Sequence, residues 1–134
     1  MNTYFTATLA TALVMLPIDA LWILVVAKSF YARQIGHLFA ASPNLVPAAI
    51  FYLLYAAVLA LLVVVPATTS GWSLGKVYLY GMALGLAAYG AYDLTNHATL
   101  RDWPLVMTVV DMAWGAFVTG VAATAATLIT RYFA

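Results

Sequence analysis

Cysteine and glutamate are both missing from this chain. Without cysteine there is no disulfide, thiolate metal site, iron–sulfur cluster or cysteine nucleophile. Charge of either sign is scarce. Five lysines and arginines face four aspartates, 7% of 134 residues, with a formal net charge of +1. A soluble domain usually carries about 25% charged residues. So sparse and balanced a charge leaves no footprint for nucleic acid. Lipidation motifs, phosphate-cradling loops and nucleophile elbows are absent too. Lys28 and Lys76 fall at span ends, which excludes a buried Schiff-base lysine. His37 and His97 both lie near loops, which argues against a bis-histidine haem. No metal-ligand spacing is present, and the cofactor is left unassigned.

What the chain has is hydrocarbon: 66% hydrophobic residues and a mean hydropathy of +1.01. A chain this short cannot hide so much apolar surface from water, so its solvent must be lipid. A spanning helix needs about 20 apolar residues, and only helices and closed barrels satisfy their backbone in a bilayer. The apolar runs are too long for barrel strands. The predicted fold class is therefore all-α, a polytopic four-transmembrane-helix bundle. It forms one membrane domain over 1–134, with helices at about 3–27, 46–65, 76–96 and 104–130. The first run lacks a basic leader region and contains Asp19, so it reads as a retained helix rather than a signal peptide.

The breaks between runs have their own chemistry. Ser42 and Asn44 are candidate caps before the second helix, with Pro47 in its first turn. Asp102 is a candidate cap for the fourth, with Pro104 in its first turn. Residues 28–40, KSFYARQIGHLFA, space Tyr31, Ile35, Leu38 and Phe39 along one side. That segment reads either as an amphipathic helix lying on the membrane surface or as an extension of the first helix. The first and third loops hold Lys28, Arg33 and Arg101, against Lys76 and Arg131 on the other side. This one-residue bias favours both termini outside, with inversion or dual topology left open.

Three of the four aspartates fall inside the spans. Asp19 precedes Lys28 by nine residues and Asp111 follows Trp103 by eight, which puts both roughly 12–14 Å below one surface. Asp93 is four residues from His97, about 6 Å below that surface. All three acids thus belong to the half of the membrane beside the first and third loops. Charged groups in a bilayer core are costly and face a bundle interior or a watery cavity. Helical spacing groups Tyr89, Asp93, Asn96 and His97 on one face of the third helix. It groups Thr108, Asp111, Gly115 and Thr119 on the fourth, and Thr8, Ala12, Met15 and Asp19 on the first. Pro17 is placed to kink the first helix beside Asp19. The alternative is scaffolding, with Asp93 paired to Arg101 and Asp19 to a neighbouring threonine or tyrosine.

LVMLPIDALW (13–22) and LVMTVVDMAW (105–114) share the pattern LVM-x-x-x-D-x-x-W. Either chance or a pair of inverted copies around one site accounts for it. Gly81-x-x-x-Gly85 and Ala116-x-x-x-Gly120-x-x-x-Thr124 permit close helix packing, within the chain or across a homodimer.

The runs YGAYDLTNHATLRDWP (89–104), VVDMAWGAFVTG (109–120) and PIDALW (17–22) resemble a family of small uncharacterised bacterial membrane proteins, classed as a domain of unknown function. The resemblance covers the whole chain and implies a four-helix protein of the bacterial inner membrane, with no established reaction. It also puts an essential role for His97 in doubt and leaves Asp19, Asp93, Asn96, Asp111 and Trp114 as the better candidates.

The functional expectation is a protein that binds or acts on a lipid or small amphiphile in an aspartate-lined intramembrane cavity. Asp93, Asp111 and Asp19 are the candidate acid–base groups. Tyr89, Tyr92, Asn96, Trp22, Trp114 and Thr108 are the candidate ligand-binding residues. A proton-coupled exporter of organic cations, acting as a homodimer, is one alternative. A membrane assembly subunit without chemistry is the other.

Overall fold

The computed structural model describes residues 2–134. Those residues are 86% helical and form no strands. Five helices carry the architecture: α1 (Thr3–Val26), α2 (Lys28–Ile35), α3 (Leu45–Thr69), α4 (Leu74–Thr99) and α5 (Leu105–Phe133). Three of them, α1, α3 and α5, are long and apolar enough to cross a membrane. α4 carries Lys76, Asp93, Asn96, His97 and four tyrosines, which lower its hydropathy. It still has 26 residues, about 39 Å of helix. It links α3 to α5 through short turns, so it returns the chain across the same thickness. The result is a helical membrane bundle.

Local chemistry sets the helix ends. Asn2 accepts from the N–H groups of Tyr4 and Phe5, Asn44 from Val46, and Ser73 from Lys76. Each supplies an acceptor to an otherwise orphaned donor. α5 differs from the sequence expectation. Its N-cap is Pro104, with no side-chain cap bond, and Asp102 sits in the turn at φ 59°. Aspartate tolerates this left-handed conformation better than most residues, so Asp102 makes the turn rather than capping the helix.

Two π turns interrupt the spans. α1 keeps α geometry through Pro17 and leaves it at Trp22–Val26, where the Ala27 N–H reaches Trp22 O at 2.7 Å. α3 does so at Ala60–Val64, just before Pro66. Proline has no N–H, so the ladder lacks a donor there in any case. Ala27, with φ −104° and ψ 4°, then breaks the helix, and α2 is a separate element rather than an extension of α1.

The bundle is built inside out relative to a soluble protein. Its buried residues are largely small or hydroxylated: Ala7, Ala56, Ala60, Ala122, Ala126, Thr11, Thr127. Large apolar side chains such as Leu13, Leu24, Leu53 and Phe117 are exposed to the surrounding hydrocarbon. Three of the buried threonines satisfy their hydroxyls one turn back: Thr11 on Ala7 O, Thr127 on Ala123 O and Thr130 on Ala126 O, all at 2.7 Å. On α1 the buried face runs Ala7, Thr11, Met15, Asp19, so Thr11 stands where spacing had placed Thr8 and Ala12.

Glycine brings α4 onto α5. A Cβ at Gly81 would stand 2.8 Å from Ala123 Cβ and 2.9 Å from Thr119 O. One at Gly85 would run into Gly115 O and the Thr119 side chain. Such small-residue seams substitute for a hydrophobic drive that lipid does not provide. At the far end from the acids, Arg131 donates to Ala67 O at 2.8 Å and to Trp72 O at 2.6 Å, tying α5 to the α3–α4 turn. Lys76 Nζ lies 4.2 Å from the centre of the Trp72 ring.

Gly85→Val is expected to destabilise the folded protein by about 2 kcal/mol or more, as overpacking does. Gly75→Ala, where nothing lies within 4 Å of the new methyl, is expected to be near neutral. Denaturant unfolding in bicelles measures both, and equal effects would remove the seam from this account.

Candidate functional site

α1 and α5 run antiparallel, and their D-x-x-W segments meet. The rings of Trp22 and Trp114 stack with centroids 4.1 Å apart and planes 4° from parallel. Trp114 Nε1 donates to Asp19 Oδ1 at 2.9 Å. Trp22 Nε1 donates to the Tyr31 hydroxyl at 2.8 Å, and that hydroxyl donates to Asp111 Oδ1 at 2.7 Å. Each tryptophan thus serves the carboxylate of the other segment, one directly and one through Tyr31. The sequence echo has a reciprocal spatial counterpart. Tyr52, from α3, adds a longer bond to Asp19 Oδ2 at 3.3 Å.

Tyr31 arrives because α1 ends in a π turn and the chain restarts as α2. Ile35, one turn on, is buried against Trp103 and Met107, so this side of α2 turns toward α5. Leu38 and Phe39, spaced on the same stripe in the sequence, stay exposed. Burial pushes the Tyr31 phenol well above its ordinary pKa, and the neighbouring Asp111 adds to the effect. Tyr31 therefore stays an O–H donor across the accessible pH range.

Asp93 is fully buried, with 0% of its surface exposed. Neither of its oxygens meets an N–H or O–H donor, so it is not paired with Arg101. Its carboxyl lies within hydrogen-bonding reach of that of Asp111. Two ionised carboxylates have no hydrogen to share, which leaves Asp93 without a donor unless a proton sits between the pair.

Beside the acids lies an open cleft of about 680 Å³. α1 and α2 give it Asp19, Trp22, Lys28 and Tyr31; α3 gives Ala48, Phe51 and Tyr52; α4 gives Tyr89 and Tyr92; α5 gives Asp111 and Trp114. Phe51, Tyr89, Tyr92 and Asp111 also line a second pocket of about 340 Å³. These sizes fall in the range of small-molecule sites, and the walls are chiefly apolar and aromatic. The cleft exists because the first turns of α3 stand away from the bundle. Leu45, Val46, Ile50, Leu53 and Leu54 are all exposed, and α3 enters the core only from Tyr55 onward. There the Tyr55 hydroxyl and Thr119 Oγ1 are 2.7 Å apart.

Two sequence candidates lie elsewhere. Thr108 accepts from Trp103 Nε1 at 3.0 Å and lies 3.0 Å from His97 Nδ1. Its hydroxyl is committed to closing the α4–α5 hairpin and does not line the cleft. Asn96 also stays outside the cleft lining; its carbonyl accepts from the Leu100 N–H at the helix end. Both sit about one turn too near the loop. Tyr31 was not among the candidate site residues; Tyr52 reads from the sequence only as one of the aromatics of the acid-bearing half, whose hydroxyls are natural donors to buried carboxylates. The available signal was Tyr31 sharing a face with Ile35, four residues away.

Residues 4–128 match the family described as "Predicted membrane protein (DUF2177)". The chain belongs to that family. No curated protein and no solved structure matches it. Together with the three apolar spanning helices, this makes it a multi-pass membrane protein, and the family carries no assigned reaction.

The bond from Tyr31 to Asp111 is open to a double-mutant cycle. Tyr31→Phe and Asp111→Asn are expected to couple by about 1 kcal/mol in unfolding from bicelles, within the range for polar contacts in membranes. Tyr132→Phe, on a side chain 82% exposed, serves as the uncoupled control. A coupling of zero would remove the bond from the site.

Proposed function

We propose that this protein binds a lipid or small amphiphile in the cleft between α1–α2, α3 and the α4–α5 hairpin. We place it, as the sequence resemblance implies, in a bacterial inner membrane. One observation carries the reading: an apolar, aromatic-walled cleft of about 680 Å³ in a membrane bundle has two carboxylates, Asp19 and Asp111, in its lining. Polar groups in hydrocarbon are kept where they meet a ligand, water or one another. A hydrocarbon tail would lie along Phe51, Ile23 and Leu24, with its polar head at the acids. Trp22 and Trp114 form the rigid floor, since their stack and their hydrogen bonds hold both rings in place.

The arrangement favours recognition over catalysis. Asp19 and Asp111 already accept bonds from the protein, and among the described residues no group of three potential ligands could hold a metal ion. The candidate acid–base roles of Asp19 and Asp111 become roles in holding a head group, with Asp93 buried behind Asp111.

Native mass spectrometry of protein extracted gently from its own membrane tests this. The wild type is expected to carry an amphiphile. Ala48→Trp, which fills the cleft from α3 without touching an acid, is expected to lose most of it. Adducts retained equally by both would place the ligand elsewhere, and bare protein in both would end the binding reading.

A further inference from the structure

At its acidic end the cleft offers an occupant the lone pairs of Asp19 and Asp111, with the hydroxyls of Tyr89 and Tyr92 in the same lining. The N–H groups of Trp22 and Trp114 and the hydroxyls of Tyr31 and Tyr52 are already directed at Tyr31, Asp19 or Asp111. A carboxylate offers about four acceptor positions, so Asp19 and Asp111 keep free ones after those bonds. Among the described residues lining the cleft, Lys28 is the one base, and it is exposed. Behind Asp111 sits Asp93, wholly buried, without a donor and within reach of the Asp111 carboxyl. The groups facing this pair from the packed elements are Asp19 of α1, Tyr31 of α2, and Tyr89 and Tyr92 of α4, none of them cationic. His97, one turn from Asp93, is engaged with Thr108.

We infer that Asp93 and Asp111 hold one proton between them, and that the resulting monoanion receives the ammonium head of an amphiphile. The shared proton gives Asp93 the donor it lacks and leaves a single negative charge at Asp111, the member of the pair that lines the cleft. An ammonium supplies N–H donors to free acceptors and a positive charge to acids that no cationic side chain bonds. The faces of Trp22, Trp114, Tyr89 and Tyr92 suit a cation through the ring quadrupole. An anionic head would meet two acids, and a neutral one would leave the charge unbalanced. This rests on the cleft being the binding site proposed above.

The two acids then have unequal roles, which is what the experiment reads. Protein in phosphatidylcholine nanodiscs is titrated with dodecylammonium, dodecanol and dodecyl sulfate, followed by tryptophan fluorescence. The wild type is expected to bind dodecylammonium at least tenfold more tightly than either other head. In Asp93→Asn the amide N–H replaces the shared proton, so affinity should stay within about threefold. Asp111→Asn should lose at least tenfold. The wild-type comparison stands on its own if either variant fails to fold. Competition by phosphatidylethanolamine would identify a lipid amine as the occupant, and its absence a free ammonium amphiphile; either result fits the inference. Equal affinity for the three heads, or equal damage from the two substitutions, would overturn the inference while leaving the cleft as a tail-binding site. If no probe binds, the inference and the binding reading both fall.

Discussion

A carboxylate in hydrocarbon needs hydrogen-bond donors from its own chain, because the bilayer core supplies none. The penalty for leaving one unserved is several kcal/mol. Much of the acid-bearing end of this molecule follows from that requirement. Trp114 reaches Asp19 from α5, Tyr52 reaches it from α3, and Tyr31 reaches Asp111 from α2. Four helices are thereby committed to positions around two side chains. The π turn at the end of α1 and the break at Ala27 fit the same logic, since the chain must fold back for Tyr31 to arrive.

The opposite end is organised differently. There Ala7, Ala10, Ala60, Val64 and Ala126 pack with little side-chain volume between backbones, and Arg131 spends its donors on two backbone carbonyls. A closed end and an open end are joined by the glycine seam between α4 and α5.

Much of this was legible in the residues. Run length and hydropathy were enough for the helical membrane fold, because a bilayer leaves so few ways to satisfy a backbone. Spacing from the loops put Asp19, Asp93 and Asp111 toward one end, and Asp93 does meet Asp111 while Trp22 and Trp114 do stack. The echoed D-x-x-W segments pointed at the contact that joins α1 to α5. What failed was a matter of single turns. Asn96 and Thr108 share helical faces with the acids, but the α4–α5 turn comes so soon that Thr108 is taken up by Trp103 and His97. Tyr31 escaped notice because periodicity shows that a helix has an apolar side, not whether that side meets lipid or protein. The lean of α3 has no local signature either: Leu45 to Leu54 are apolar on every side, so nothing in their pattern marks the gap they border.

That lean has a consequence for how the cleft is reached. Where α3 stands off, part of the enclosure is completed by whatever molecule lies next to the protein in the bilayer. An amphiphile of the kind proposed above would then arrive in two dimensions, by sideways diffusion within a leaflet. Occupancy would follow the mole fraction of a component in the membrane rather than its concentration in water. A scarce amphiphile that is nearly insoluble outside the bilayer could still saturate such a site, whereas a soluble relative of it, however abundant in the surrounding water, would rarely arrive.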